Sequence, residues 1–434
     1  MSEPGGKIVA TLVVRGLRQC LTMTGEVAGP QRGGDQENVG LVEDAAVAVA
    51  GEDIVYAGPA SGVLSSVRVA ADAVSLDADG GVLLPGFVDP HTHVLFGGWR
   101  PGEFAQRIAG DSYRDILQAG GGILSTVDAT CACSEEELVE IGTRRLRRML
   151  STGTTTVEAK SGYGLSAADE AKLVRAARRL AATEATDVVV TLLAAHAMPP
   201  EYRENRAGYL SQVEEMIVAL ADRIDFVDAF CEDGAFSVPE CRRVFAAAAR
   251  AGCGIKVHAD QLGDTGGAAL AGEVSAVSAD HLDYISTAGI AALAGAGVVA
   301  VLLPSVPLYL MSRRQAPARR LQAAGVPIAL GTDFNPGTSA VESMGLIVAL
   351  ACTLLGMTPE AALVAATTNA AHAIGQGDVV GRLEPGMRAD LQVYSTCDYR
   401  MLPYRFGQLR PRWVIKRGRL VAGEDVDAAA VPRT

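Results

Sequence analysis

His91-Thr92-His93 closes the apolar run Val82–Val88 and its Asp89-Pro90 end, and it places two metal-binding side chain types two residues apart. Side chains two apart on a strand point the same way. Such a run therefore presents two imidazoles side by side at a strand's C-terminal end. Imidazole suits zinc and iron, and two ligands on one rigid element form half of a catalytic site with an open position. H-x-H alone is also compatible with two ordinary histidines at a turn, so the remaining histidines decide. The chain has only six. His196, His258 and His281 each follow a further apolar run, and Asp333 follows another in Gly331-Thr332-Asp333-Phe334-Asn335-Pro336. His372, in Asn369-Ala370-Ala371-His372, stands apart and is read as structural. His91 and His93, one histidine from His258 or His281, and Asp333 would make a mononuclear metal centre with an open position. A carboxylate there can both ligate and accept a proton from water. A metal lowers the pKa of bound water towards ~7, which makes hydroxide available at neutral pH.

The elements that must position these groups form a regular series. Eight apolar runs, most of them continuous and rich in β-branched residues, span Val82–Val88, Thr154–Glu158, Val188–Ala195, Phe226–Cys231, Ile255–Val257, Val277–Ala279, Val298–Leu303 and Pro327–Leu330. Continuous runs are expected of strands buried on both faces. Helical patterns lie between them at Asp169–Ala182, Tyr209–Ala221, Pro239–Ala251, Gly266–Glu273, Thr287–Ala294 and Arg313–Ala324. Eight strands separated by helices read as an α/β fold, a (β/α)8 TIM-like barrel, whose strand ends converge on one face where active sites lie. The first gap, residues 94–153, is long enough to carry an extra loop and helix over the barrel mouth. Residues 1–81 and 376–434 hold short strand-like pieces with many Gly and Pro, and together would form a small β-sandwich built from both chain ends beside a barrel of residues 82–375. Gly29–Asn38 reads as an exposed loop.

Composition narrows the function classes. A net charge of −12 argues against nucleic acid or an anionic membrane as partner. The start, MSEPGGKIVATLVVRG, shows no signal peptide, and no apolar stretch reaches the roughly 20 residues of a membrane span. The eight cysteines show no zinc-knuckle spacing, and Cys131-Ala132-Cys133 only precedes the acidic helix start Ser134-Glu135-Glu136-Glu137. They read as reduced and structural, and the expected compartment is the cytoplasm. The expected partner is a small-molecule substrate.

The stretches LLPGFVDPHTHVLFGGWRPGEF, DSYRDILQAGGGILSTVDAT, TTTVEAKSGYGL, LLAAHAMPPEY, DAFCEDGAFS, KVHADQL, VSADHLDY and ALGTDFNPGTS resemble the amidohydrolase superfamily and, within it, the imidazolonepropionase family of histidine degradation. The resemblance runs from about residue 83 to 395. It implies that His91, His93, His258 and Asp333 hold one Zn2+ or Fe3+ ion per chain, with His281 beside the activated water. It implies that Arg100, Tyr163, His196, Gln261 and Thr338 contact 4-imidazolone-5-propanoate, and that Asn335 and Gly337 contact the open-chain product. The implied reaction is hydrolysis of that cyclic amide to N-formimino-L-glutamate, and the implied assembly is a homodimer. Asp333, His281, His196 and Gln261 are the residues expected to serve catalysis.

Each residue has a plainer rival reading. Arg100 could be a solvated loop arginine rather than a bidentate clamp on a carboxylate, and Tyr163, between two glycines, could mark a simple turn. Gly120-Gly121-Gly122 lacks a following G-K-[ST], so it reads as a lid hinge rather than a phosphate loop. Lys160 could be a carbamylated metal bridge, but it follows the second strand and reads better as one side of a structural ion pair. Three residues after His258 the deaminases of the superfamily, and some imidazolonepropionases, carry a glutamate as proton shuttle. Here Gln261 cannot exchange a proton, which disfavours the alternative of an aminohydrolase acting on a heterocyclic amine. A scaffold without catalysis is the third reading, and the complete ligand set argues against it. The segment Pro304–Tyr309, expected to border the pocket, departs from the family's usual sequence after the seventh strand, which leaves hydrolysis of a related cyclic amide as a further alternative.

Overall fold

The computed structural model describes residues 7–26, 28–110 and 121–424. Four strands open the chain: β1 (Val9–Leu21), β2 (Leu41–Ala50), β3 (Asp53–Pro59) and β4 (Arg68–Pro85). Eight more follow: β5 (Phe87–Asp89), β6 (Thr154–Lys160), β7 (Asp187–Ala195), β8 (Phe226–Cys231), β9 (Gly254–Ala259), β10 (Ser278–His281), β11 (Val299–Leu302) and β12 (Ile328–Leu330). The last three are β13 (Leu391–Tyr394), β14 (Trp413–Lys416) and β15 (Arg419–Gly423). Strands β5 to β12 pair in parallel, each with its sequence neighbour, as the continuous apolar runs require. The ring closes just beyond the regular strands. Asp333 N donates to His91 O (2.9 Å), and His93 N donates to Phe334 O (2.9 Å). Buried Asp89 accepts from Thr332 N (3.0 Å) and Thr332 Oγ1 (2.6 Å) across the same seam.

The first barrel strand is shorter than the apolar run predicted. Val82–Pro85 belong to β4 and pair with β13 in the other sheet, and only Phe87–Asp89 enter the barrel. Gly86 makes the switch. A Cβ there would lie 2.3 Å from Thr155 Oγ1, so the chain can pass this point only without a side chain. The two chain ends meet in one continuous mixed sheet, ordered β15-β14-β13-β4-β1-β2-β3. Its apolar core takes residues from both flanks, among them Val14, Val47, Ile54, Leu383, Leu391 and Trp413. Ions fasten this sheet to the barrel floor. Asp187, the first residue of β7, accepts from Arg388, from Lys416 Nζ (2.5 Å) and from Arg417 Nη2 (2.8 Å), while Asp390 takes the same lysine (2.5 Å).

The first gap carries three helices among the described residues: Pro101–Ala109, Ile123–Cys131 and Glu135–Ser151. The last begins at the acidic cluster, where Ser134 and Glu137 cap each other reciprocally (3.2 and 2.8 Å). Gly120 and residues 111–119 of the expected lid lie outside the described residues. Two further sequence expectations change. The helix expected over Arg313–Ala324 is reduced to Ala318–Ala323, because Pro317 has no N–H to give a helix and sits in a tight turn closed by Ala318 N to Ala316 O (2.9 Å). Gly29–Asn38 is no simple exposed loop: Gln31 and Gln36 are buried, and the Gln36 amide spans Ile328 N (3.2 Å) and Ile328 O (3.3 Å) beneath the barrel. All eight cysteines are free, and among the described residues no helix is long and apolar enough to cross a membrane.

Candidate metal centre

His91, His93, His258, His281 and Asp333 converge at the C-terminal mouth of the barrel, each no more than 2 % exposed. The two residues from β5's end and Asp333 are fixed by the backbone bonds that close the ring. Asp333 and His281 sit at left-handed φ values of 48° and 79°. Side chains rarely adopt that region, and holding one there costs about 1–3 kcal/mol, which clusters at functional sites. The backbone bonds Asp333 N to His91 O (2.9 Å) and Leu282 N to Ala259 O (3.0 Å) hold the chain in place at each turn.

Carboxylates set the tautomers. His91 Nδ1 lies 2.6 Å from Asp280 Oδ2, and His258 Nδ1 lies 2.8 Å from Asp228 Oδ2. Burial draws the His258 imidazolium well below its usual range, more strongly than Asp228 supports it. Burial also opposes charge on His91, where the Asp280 hydrogen bond and charge prevail over the burial and the Lys160 charge and leave it raised. An ionised carboxylate only accepts, so each Nδ1 carries a proton. In the neutral ring each Nε2 then offers a lone pair to the cavity. Burial lowers His93 as well, and pushes His281 down to about 3. Burial favours a neutral Asp333, yet the facing His91 and His93 imidazoles, with charge from His91 and His281, hold it well below the usual carboxylate range. Neutral His93, His258 and His281 beside ionised Asp333 are the donor types a metal cation needs, and a cation bound at His91 Nε2 would take the place of the proton that the raised His91 pKa favours.

The distances fit an ion. His91 Nε2 and His93 Nε2 each lie 3.4 Å from Asp333 Oδ1. Ligand atoms ~2.05 Å from a tetrahedral ion are ~3.4 Å apart. His91 Nε2, His258 Nε2, His281 Nδ1 and Asp333 Oδ1 are buried and make no hydrogen bond. Unpaired buried polar atoms are costly, and here several face one point. Three sets among the described residues lie within metal-binding reach: His91, His93 and Asp333; His91, His258 and His281; and His91, Glu158 and Asp280, whose two carboxylates already face Lys160 and Lys256. Lys160 Nζ is held by Asp228 (2.7 Å) and Glu158 (3.0 Å), and their charges keep it a protonated ammonium against burial. That state is incompatible with a carbamate bridge.

Of the expected substrate residues, His196 and Tyr163 lie against His93, Asn335, Gly337 and Thr338 form the turn after Asp333, and Arg100 lies against Gly337. The His196 ring stacks on His93 at 5.1 Å and 16°, beside Tyr163 at 5.4 Å. Burial pushes His196 down to about 3. Its Nδ1 faces Gly162 O at 3.0 Å, and a carbonyl only accepts, so Nδ1 carries the proton and Nε2 is left as an acceptor. Tyr163 is buried on a loop fixed by Glu170, whose carboxylate accepts from Gly162 N (3.0 Å), Gly164 N (2.8 Å) and Leu165 N (2.8 Å). Burial raises the Tyr163 phenol, and the Arg100 charge draws it back. Asn335 Oδ1 accepts from Gly337 N and Thr338 N (2.8 Å each), and Thr338 Oγ1 lies 3.3 Å from Asp333 Oδ2. Arg100 packs on Gly337 and reaches Glu103 at 3.5 Å. Gln261 is the least integrated. Glu232 accepts its backbone N–H (3.0 Å), but its side chain makes no hydrogen bond to a described residue. In the divergent segment, Ser305 Oγ bonds Thr332 O (3.1 Å) and Ser339 Oγ (2.9 Å) and so buttresses the Asp333 turn. His372 is apart from this group.

Sequence reasoning missed Asp228, Asp280, Glu158, Lys256 and Glu170. All are fully buried charged residues. The available signal was a charge inside an apolar run at the same alternation as a histidine, as in Lys256 and His258.

Comparisons with known proteins agree along the chain. The model of the amidohydrolase family matches residues 82–421. An imidazolonepropionase of Symbiobacterium thermophilum is 46% identical over 417 residues, covering 95% of this chain and 97% of that protein. One of Caulobacter vibrioides is 47% identical over 375 residues, covering 86% and 92%. Among solved structures, a zinc-bound adenosine deaminase from Xanthomonas campestris has a TM-score of 0.71 at 20% identity, covering 98% of this chain and 97% of that one. A triazine hydrolase variant has a TM-score of 0.72 at 18% identity, covering 96% and 97%. At those identities the structures share the fold alone.

Proposed function

The chain belongs to the amidohydrolase family and, within it, to the imidazolonepropionases, and from that premise we propose that it hydrolyses 4-imidazolone-5-propanoate to N-formimino-L-glutamate in histidine degradation. The observation that carries the reading is the set of buried, unpartnered imidazole and carboxylate atoms facing one point, with Asp333 Oδ1 3.4 Å from two imidazole nitrogens. His91, His93, His258 and Asp333 would hold one zinc or iron ion. When bound, the ion supplies Lewis acidity and brings the pKa of a water towards ~7.

The remaining work falls to the chain's own groups. Asp333, held ionised, accepts a proton from water as oxygen adds to the ring carbonyl carbon, and returns it to the ring nitrogen as the C–N bond opens. His281, neutral, donates its N–H to the developing oxyanion. His196 Nε2 accepts from a ring N–H, and Tyr163 covers the ring. Arg100 pairs with the propanoate carboxylate. Asn335, Gly337 and Thr338 line the side where the product's new carboxylate forms, and Gln261 contacts the substrate without exchanging a proton. A homodimer working in the cytoplasm is part of the proposal.

The test is an ultraviolet assay of imidazolone-propanoate consumption, with formiminoglutamate, ammonia and metal quantified in the same sample. Turnover with formiminoglutamate and no ammonia supports the reading. Ammonia released from a heterocyclic amine, with no ring opening, refutes it in favour of deamination.

A further inference from the structure

Behind the histidines lies a charged cluster that touches no substrate. Two of the chain's five lysines, Lys160 on β6 and Lys256 on β9, are buried in the barrel with Glu158, Asp228 and Asp280, all five at most 1% exposed. Barrel interiors are normally filled by branched apolar side chains, and removing charges from water costs several kcal/mol per ion. A cluster of this size at that depth calls for a specific purpose. Its wiring suggests one. Asp280 Oδ2, which holds His91 Nδ1 at 2.6 Å, lies 3.5 Å from Lys160 Nζ. Asp228 Oδ2, which holds His258 Nδ1 at 2.8 Å, lies 2.7 Å from the same nitrogen. One ammonium thus reaches the very oxygen atom that each histidine uses. Lys256 differs. It binds Glu158 (2.9 Å) and Pro90 O (2.7 Å), stays 3.9 Å from Asp280, and has no ion pair with Asp228. The strand register fixes the arrangement, with Asp280 opposite His258 and Asp228 opposite Lys256.

We propose that Lys160 is a positioning residue of the metal centre: it clamps both carboxylates that orient His91 and His258, so the two imidazoles are set as one unit. The proposal rests on the ligand set given above. Partners of this kind typically change metal affinity 10- to 100-fold when removed. A merely structural ion pair would lower stability without that change.

The experiment compares wild type with Lys160→Met, Lys160→Arg and Lys256→Met. It reads the zinc dissociation constant by competition with a chromogenic chelator, and the visible spectrum of the cobalt(II)-loaded protein. Lys160→Met should weaken zinc roughly 10- to 100-fold and shift the cobalt bands. Lys256→Met, which also removes a buried cation, should change both far less. Lys160→Arg keeps the charge but not the compact geometry, and should retain affinity better than Lys160→Met with altered bands. If Lys160→Met does not fold, Glu158→Gln/Lys160→Met removes one charge of each sign and takes the same readouts. Zinc affinity at wild-type level in the folded Lys160 variant, or equal losses in both lysine variants, overturns the proposal. A wild-type protein that binds no metal overturns the ligand set instead.

Discussion

Gly337→Ala tests how the site reads the tail of its substrate. A Cβ at Gly337 would fall 1.4 Å from Arg100 Nη2 and 2.6 Å from Cζ. Ordinary contact begins near 3.4 Å, so the guanidinium must retreat by 3.4 − 1.4, about 2 Å. The backbone at Gly337 is not left-handed, so alanine adds no torsional strain of its own. Glu103, 3.5 Å from Arg100 Nη1, offers the displaced group a resting place. A charge-assisted hydrogen bond contributes ~1.5–3 kcal/mol, and ~1.4 kcal/mol is tenfold. A bond stretched by that much is lost, so kcat/KM for imidazolone-propanoate should fall roughly 10- to 200-fold. The fall should appear in KM if the clamp holds ground and transition states alike. Arg100→Met should give a loss of the same order, and the double variant little more, because both act on one contact. A neutral imidazolone without the propanoate should barely distinguish the variants. Steady-state ultraviolet kinetics measures all of this, with metal content checked alongside. An unchanged KM in Gly337→Ala, or losses that multiply in the double variant, would refute the clamp.

Purified protein should carry about one ion per chain, collapsing in His258→Ala and Asp333→Ala, since a four-ligand site does not survive loss of a ligand; two tightly held ions in an elemental assay would count against a mononuclear centre. His281→Ala should keep its metal and lose on the order of 10²–10³ in kcat, whereas loss of the ion would make His281 a ligand. Asp187→Asn should lower stability in urea by about 1–3 kcal/mol at pH 7, because charged partners lose their acceptor. Burial opposes ionised Asp187, but Lys416 and Arg388 hold its pKa below the ordinary value, so its contribution is present above pH ~4 and fades as pH falls through the lowered value. The gap between the variant and wild type should therefore close in acid, and a gap constant from pH 7 to pH 3 would contradict the linkage.

The barrel and its mouth were legible because both rest on short-range regularities. Apolar runs report burial on two faces, and His91, His93, His258, His281 and Asp333 stand at the ends of those runs. The rest depended on information that periodicity does not carry. Val82–Val88 reads as one strand, and only the crowding of Gly86 against Thr155 explains why it is divided between two sheets. Asp228 and Asp280 look like single blemishes in apolar strands until the register sets them beside histidines of neighbouring strands. The left-handed turns at His281 and Asp333 carry only a weak signature, since Asp and His are enriched at positive φ but most residues of both types stay at negative φ. Gln31 and Gln36 looked solvated because their partners, Asn369 and Ile328, lie about 300 residues away.

The division of that first apolar run also sets an order of events during synthesis. On one side β4 meets β1, a near neighbour in sequence, but from Val82 to Pro85 its other edge is covered only by Leu391–Tyr394. The ribosome must therefore make the whole barrel before that edge finds its partner. Pairings of such long sequence separation form slowly, and an open apolar strand edge invites pairing with another chain. The nascent protein thus carries an adhesive seam at the barrel floor for most of its translation, and yield should depend on how quickly the C-terminal strands are delivered.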